Sequence, residues 1–298
     1  MSKKTKNWLI MGTVFVLLGC IIFAFVMSRL NWDFNKLSTA KFETNKHKIS
    51  EEFKNISIKT DTADIKFLIS EDGKCNVECY EEEKAKHKAF VKEDTLIIEL
   101  DEKKQWHDYI GFNFTSPNIT VSLPKAEYET LFVKADTSNI VVPSGYVFES
   151  TDISLSTGDV NFCSSVKNLL KIKTHTGKVN IKDTSAGSIN LTTSTGDISV
   201  FDVDCKNDLS IKVSTGKTKL SNLECKKLTA SADTGDISLD CCDADEIFIQ
   251  TDTGDVSGRL LSEKVYITKT DTGRVSVPKT TKGGRCEIIT NTGNIKFE

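Results

Sequence analysis

The stretch STGDISV at 194–200 returns as DTGDISL at 233–239 and as DTGDVSG at 252–258. Its Thr-Gly dipeptide occurs eight times in the second half of the chain, with glycines at 158, 177, 196, 216, 235, 254, 273 and 293, spaced 19, 19, 20, 19, 19, 19 and 20 residues apart. So narrow a period marks a repeat architecture. Thr137-Ser138-Asn139-Ile140 stands where a ninth copy belongs, and Thr62-Ala63-Asp64-Ile65 is a further degenerate copy.

The columns around the glycine set the local structure. Two residues after it stand Val160, Val179, Ile198, Thr218, Ile237, Val256, Val275 and Ile295, all β-branched. Four after it stand Phe162, Ile181, Val200, Leu220, Leu239, Gly258, Val277 and Phe297, and five before it Ile153, Ile172, Leu191, Ile211, Ala230, Ile249, Thr268 and Ile288. A spacing of two is strand periodicity. Each copy therefore reads as strand, Thr-Gly corner, strand and a longer turn, the glycine permitting backbone angles that a Cβ forbids. One such coil cannot bury its own apolar side chains, but coils stacked in parallel about 4.8 Å apart create a continuous core. The expected fold is all-β: a parallel β-solenoid (β-helix) of ~19–20-residue coils, about 38 Å long for eight coils. A propeller of antiparallel blades needs about 40 residues per blade, so the constant shorter period favours the solenoid.

Upstream the pattern loosens. Phe53 to Ile69 (FKNISIKTDTADIKFLI) reads as strand, corner, strand, followed by EEEKAKHK at 81–88, a strand-like run from Thr95 to Leu100, a polar insert around Asp101 to Asp108, and a strand from Ile119 to Leu123 closed by Pro124. Residues 53–142 are expected to form irregular coils that cap the solenoid, and 143–298 its regular repeats. The last strand, Asn294 to Glu298, is expected to leave an unpaired edge, blunted by Lys296 and Glu298 or used for pairing.

Trp8 to Ser28 is an uncharged, mostly apolar run of a length that spans a bilayer core of about 30 Å as a helix. Lys3, Lys4 and Lys6 precede it and Arg29 follows, which favours a cytoplasmic N-terminus. The expected order is a cytoplasmic tail at 1–7, a transmembrane signal-anchor helix at 8–28 and a stalk at 29–52, giving a single-pass protein of the cell membrane with an extracytoplasmic C-terminal domain. A lipobox-like Leu17-Leu18-Gly19-Cys20 and a cleaved signal are the other two readings. The apolar run continues past Cys20, and no small-x-small cleavage site follows it. All three readings export residues 30–298. Without the four basic residues around the helix, 35 basic face 42 acidic residues, a charge of −7. That balance argues against a nucleic-acid partner.

ITVSLPKAEYETLFVKADTSNIVV at 119–142, together with the three motifs quoted above, resembles the bacterial "putative adhesin" β-strand-repeat domain family, of unknown function, over about residues 53–298. The resemblance implies a β-repeat fold on a single-pass or secreted envelope protein, some relatives sitting in envelope-stress systems. It carries over no catalytic residue. The insert at 70–118 departs from the plain repeat.

The residue after each glycine runs Asp159, Lys178, Asp197, Lys217, Asp236, Asp255, Arg274, Asn294, mostly alternating in sign, and is read as a surface ladder that fixes register. Two before the glycine stand Ser156, His175, Ser194, Ser214, Asp233, Asp252, Asp271 and Asn291. Asp233, Asp236, Asp252, Asp255 and Asp271 thus form an acidic ladder, either a solvated stripe or an oxygen cluster of the kind that holds Ca²⁺. The Ca²⁺ motif of solenoids is absent. The corner threonines lack a recurring base partner, so they are read as structural. Cys205 and Cys225 share a column in adjacent coils, within disulfide range. They form a disulfide or stay as two small thiols packed beside Ala186 and Ala244. Cys75 and Cys79 have metal-like spacing, but no second Cys/His pair stands at zinc spacing, so no metal and no cofactor is expected. His47, His87, His107 and His175 are scattered, and Trp106-His107-Asp108 reads as an exposed loop. No carboxylate pair is set apart as a glycosidase would need. The function expected is a non-enzymatic one: adhesin-like binding or scaffolding at the cell envelope toward a protein or glycan partner, with membrane attachment through the helix. The alternatives are a regulatory partner of an envelope-stress signalling system and a carbohydrate-active enzyme.

Overall fold

The computed structural model describes residues 2–33, 36, 41–102 and 115–298. The N-terminal helix spans Lys3–Arg29 and is opened by Ser2, whose hydroxyl accepts the Thr5 backbone N–H at 3.2 Å. Its 27 residues reach about 40 Å. Apart from Met27 its side chains are exposed. A helix apolar on every side suits a bilayer or a signal sequence.

The remainder is a parallel β-solenoid. The coil ending at Thr195 shows the plan. Residues 179–182 form one side, and Asp183 turns the chain with φ 50°. Residues 184–186 make a short second side, and 189–195 a long third side that ends in the Thr-Gly corner. Asp183, Asp202, Asn222 and Cys241 all occupy this second corner in the left-handed region, where Asp and Asn are tolerated best. This one-residue corner and the two sides that follow it stand where a longer turn was expected. Seven of the eight residues two after the glycine are buried as the periodicity predicts, namely Val160, Val179, Ile198, Thr218, Ile237, Val256 and Ile295, and Val275 is exposed. Each such aliphatic contributes about 1.5–3 kcal/mol by burial.

At the Thr-Gly corner the layers are tied by backbone. Gly177 N–H donates to Thr195 O at 2.9 Å, Gly196 to Thr215 at 2.9 Å and Gly216 to Thr234 at 3.0 Å. The column glycines 158 to 254 have φ between 132° and 157°, and a Cβ on any of them would fall inside the carbonyl of the corner beneath. The acidic residue after the glycine adds a second tie. Asp159 Oδ1 accepts the Lys178 N–H at 2.7 Å, Asp197 that of Lys217 at 2.9 Å, and Asp236 that of Asp255 at 3.1 Å. Register is held by these backbone bonds more than by alternating charge, since exposed pairs such as Lys217–Asp236 at 3.2 Å are worth only about 0–1 kcal/mol.

Layers do not follow chain order at either end. Strand Ile237–Thr253 pairs with Gly284–Thr292, which in turn pairs with Lys264–Thr272. Ile295–Phe297 likewise lies between Val256–Leu260 and Val275–Ser276. The C-terminal coil is thus inserted beneath the coil that precedes it. The expected unpaired C-terminal edge is incorrect: the edge belongs to 264–276, and Val275 and Ile267 are therefore 44% and 45% exposed. Two features make room for the insertion. A Cβ on Gly283 would strike Glu263 O and one on Gly284 would strike Asp245 O, so this pair threads between two backbones. Gly258, the gap in the large apolar column, leaves space for the Phe297 ring that stacks on it.

The N-terminal end mirrors this. Asn55–Thr60 and Asp64–Ile69 pair on one side with Glu127–Thr137 and Ile140–Val142, and on the other with Thr95–Glu102 and Asn118–Leu123. The cap is completed by antiparallel strands. Cys75–Glu82 lies between Phe42–Ile49 and Asn118–Leu123, and Ala85–Lys92 pairs with Thr95–Glu102. Two expectations change here. Part of the stalk assigned to 29–52 is a cap strand, and after Ile69 the segments Cys75–Glu82 and Ala85–Lys92 are antiparallel strands rather than coils, whereas Thr95–Glu102 and Asn118–Leu123 form a parallel layer. Trp106, His107 and Asp108 lie outside the described residues.

Two outcomes follow. Ser257→Cys paired with Lys296→Cys, partners in register, should cross-link on oxidation, whereas Ser257→Cys with Ser276→Cys, two layers or about 9.6 Å apart, should not; non-reducing mass mapping reads both. Gly235→Ala should destabilise by about 2–4 kcal/mol in denaturant titrations, against a change within about 0.5 kcal/mol for exposed Lys219→Ala.

Candidate functional site

The acidic ladder is not continuous. Asn291 lies between Asp252 and Asp271 in the stack, its Nδ2 3.3 Å from Asp252 Oδ1. Asp236 and Asp255 spend a carboxylate oxygen each on a neighbouring backbone N–H. The Asp255 N–H, followed by Lys217, holds the Asp236 carboxyl below the usual range. Among the described residues, Asp233, Asp236, Asp252, Asp255 and Asp271 bring no three oxygens within 4.8 Å of one another. Cys205 and Cys225 occupy one column with Ala186 and Ala244 and are both thiols. The Cys205 thiol donates to Asp208 O at 3.4 Å, and burial pushes Cys225 up to about 12.

A polar cluster is buried in the cap. Glu81 continues the inward phase of Cys75, Val77 and Cys79 along its strand and is 1% exposed. Its Oε2 accepts from the His87 ring at Nδ1 and from the His87 backbone N–H, both at 2.7 Å. Its Oε1 accepts Asn45 Nδ2 at 2.8 Å. On the far side of the ring, His87 Nε2 lies 2.8 Å from Thr60 Oγ1. Sulfur, carboxylate and imidazole of Cys79, Glu81 and His87 all come within 4.8 Å of one another. Burial pushes the Glu81 carboxyl up, but the hydrogen bonds from His87 and Asn45 outweigh it and leave the group below its usual value. Burial, with Glu81 and Glu78 nearby, pushes Cys79 up to about 12.

Hydroxyl, imidazole and carboxylate stand here in the order of a nucleophile, base and orienting acid. Thr60 and His87 are only 6% and 5% exposed, however, so no bulky substrate reaches the hydroxyl. The cluster instead joins three cap strands to the first coil. Sequence reading passed over it because its members are up to 42 positions apart; the signal was a charged residue on the inward phase of a strand.

A surface groove runs along the second corner. Asp183, Asp202 and Asn222 from that corner, with Ser185, Asp204 and Glu224 beside them, line an open groove of about 840 Å³ floored by Val203 and Leu223. Asn222 Nδ2 donates to Asp202 Oδ1 at 2.7 Å, tying one layer to the next. The groove thus presents carboxylates and hydroxyls at the spacing of the layers.

These features define a class: a capped, three-sided β-solenoid carried behind an N-terminal apolar helix. Within that class the chain belongs to the Toastrack DUF4097 family, whose profile matches residues 53–298. Among solved structures it is similar to a "putative adhesin" of Parabacteroides merdae (12% identity, TM-score 0.52, covering 88% of this chain and 98% of that one). It is also similar to two Parabacteroides distasonis proteins. One is a "putative adhesin" (13%, 0.51, 87% and 98%). The other is a "putative lipid binding protein" (16%, 0.50, 88% and 98%). At these identities the likeness is one of fold. No curated protein matches the chain.

The Glu81 contacts have a pH signature. A carboxyl whose folded value lies below its unfolded one, about 4.3, stabilises fully above that value and stops contributing as pH falls through the folded value. Glu81→Gln should therefore lower the melting temperature at pH 7, and the gap to the unaltered protein should narrow below about pH 4. A gap that is constant with pH would contradict this.

Proposed function

We propose that this protein is a non-enzymatic, adhesin-like binding or scaffold protein of the cell envelope. The helix Lys3–Arg29 anchors it in the cell membrane with a cytoplasmic N-terminus, and the solenoid is held outside. The observation that carries the reading is the groove of Asp183, Asp202, Asp204, Asn222 and Glu224, which repeats acceptor groups layer by layer along the rod. Repeated weak contacts sum when a partner is itself repetitive, as a glycan or a long envelope protein is. Carboxylates and serine hydroxyls suit sugar hydroxyls or cationic side chains. Two fold neighbours described as "putative adhesin" support the same reading, as do the three lysines before the helix.

The test is binding of the protein to isolated cell-envelope material. Asp204→Lys and Glu224→Lys together should reduce binding at least tenfold with little change in melting temperature, because both side chains are exposed and neither sits at the left-handed corner. Undiminished binding would remove the groove from the argument. Replacing the helix by an unrelated membrane span should leave this binding intact; loss of activity on that swap would favour the regulatory alternative.

A further inference from the structure

We propose that Cys79, Glu81 and His87 form a binding site for a single divalent transition-metal ion, of the zinc class, inside the N-terminal cap. The three ligand atoms lie within 4.8 Å of one another and all three residues are buried. Thiolate, carboxylate and imidazole are the donors that Zn²⁺ takes, with three protein ligands and one further position in its open sites.

The surroundings are already those of an outer shell. A metal-bound histidine normally donates its other ring N–H to an oxygen, and a metal-bound carboxylate is itself hydrogen-bonded. Here His87 Nε2 lies 2.8 Å from Thr60 Oγ1, leaving Nδ1 to face the carboxylate and the sulfur. Glu81 Oε1 is held by Asn45 at 2.8 Å, leaving Oε2 on the inner side. An ion would take the place of the hydrogen between Oε2 and Nδ1. The imidazole proton then sits on Nε2 and is donated to Thr60, and the thiol proton of Cys79 goes to solvent. One thiolate and one carboxylate balance the two positive charges, which removes the cost of an isolated buried ion.

A further observation points the same way. His47 Nε2 is shut off from water and has no hydrogen-bond partner. His47 stands on the same face of its strand as Asn45, opposite Val77 and one step along from the Asn45–Cys79 pair. It stands beside the site, outside the set of ligand atoms that come within 4.8 Å of one another. The ion would fasten Cys75–Glu82 to Ala85–Lys92, with Asn45 and Thr60 extending the link to Phe42–Ile49 and to the first coil. The sequence reading expected no metal because it sought a second Cys/His pair at zinc spacing; the ligands here are assembled across strands.

The test is Co²⁺ titration of the full chain in detergent. One equivalent should bind with a sulfur-to-cobalt charge-transfer band, displaced by Zn²⁺. Cys79→Ser should lose the band and weaken binding at least tenfold, while Cys75→Ser should keep it. X-ray absorption of the zinc-loaded unaltered protein, which needs no variant to fold, should show one sulfur at about 2.3 Å with nitrogen and oxygen neighbours. Absence of the band, its survival in Cys79→Ser, or two or more sulfurs around zinc would each overturn the site.

Discussion

A glycine at each Thr-Gly corner allows one backbone to lie directly on the carbonyl of the next. With a Cβ there the layers would be pushed apart, and the ladder bonds on all three sides would lengthen together. The close approach explains why residues before and after the corner can alternate so strictly: each side chain column inherits its position from the corner. Where Asp or Asn follows the glycine, its side chain caps an N–H of the adjoining layer and adds a check on register. The inward aliphatic columns fill the space this frame defines.

A solenoid whose frame is so regular has two ends that could go on pairing. At both, the layers are taken out of chain order, which moves the chain's first and last coils inside and leaves 264–276 as the open edge at the C-terminal end. The first coil, 53–69, lies under the strands that follow it, and the last, 284–298, lies under the coil that precedes it. Each chain end of the solenoid is therefore held between two neighbours. The outermost layers are short or antiparallel, or carry the polar turns. The N-terminal cap also concentrates the buried polar chemistry of the molecule, because antiparallel strands bring Asn45, Glu81 and His87 onto one point. A buried carboxylate there must be paired, since leaving one partner alone in the interior costs about 3–5 kcal/mol.

The outer surface carries the functional reading. A corner that repeats at the layer spacing turns ordinary residues such as Asp183, Asp202 and Asn222 into an array. Arrays bind extended partners by many small contacts.

Much of this was legible in the sequence because the decisive signals are local and periodic. The 19–20-residue spacing of Thr-Gly, the β-branched residue two positions later and the apolar run at 8–28 gave the parallel solenoid, its inward columns and the apolar helix. What stayed hidden depends on which segments meet. Nothing in the repeat distinguishes a coil laid on its predecessor from one slipped beneath it, since the layers present nearly the same face. Only the packing of Phe297 on Gly258 and the passage of Gly283 and Gly284 between two backbones decide the order. Likewise Cys79, Glu81 and His87 become a cluster only when two antiparallel strands turn them toward Thr60. Periodicity specifies what each layer looks like; the close contacts between layers specify where the irregular ones go.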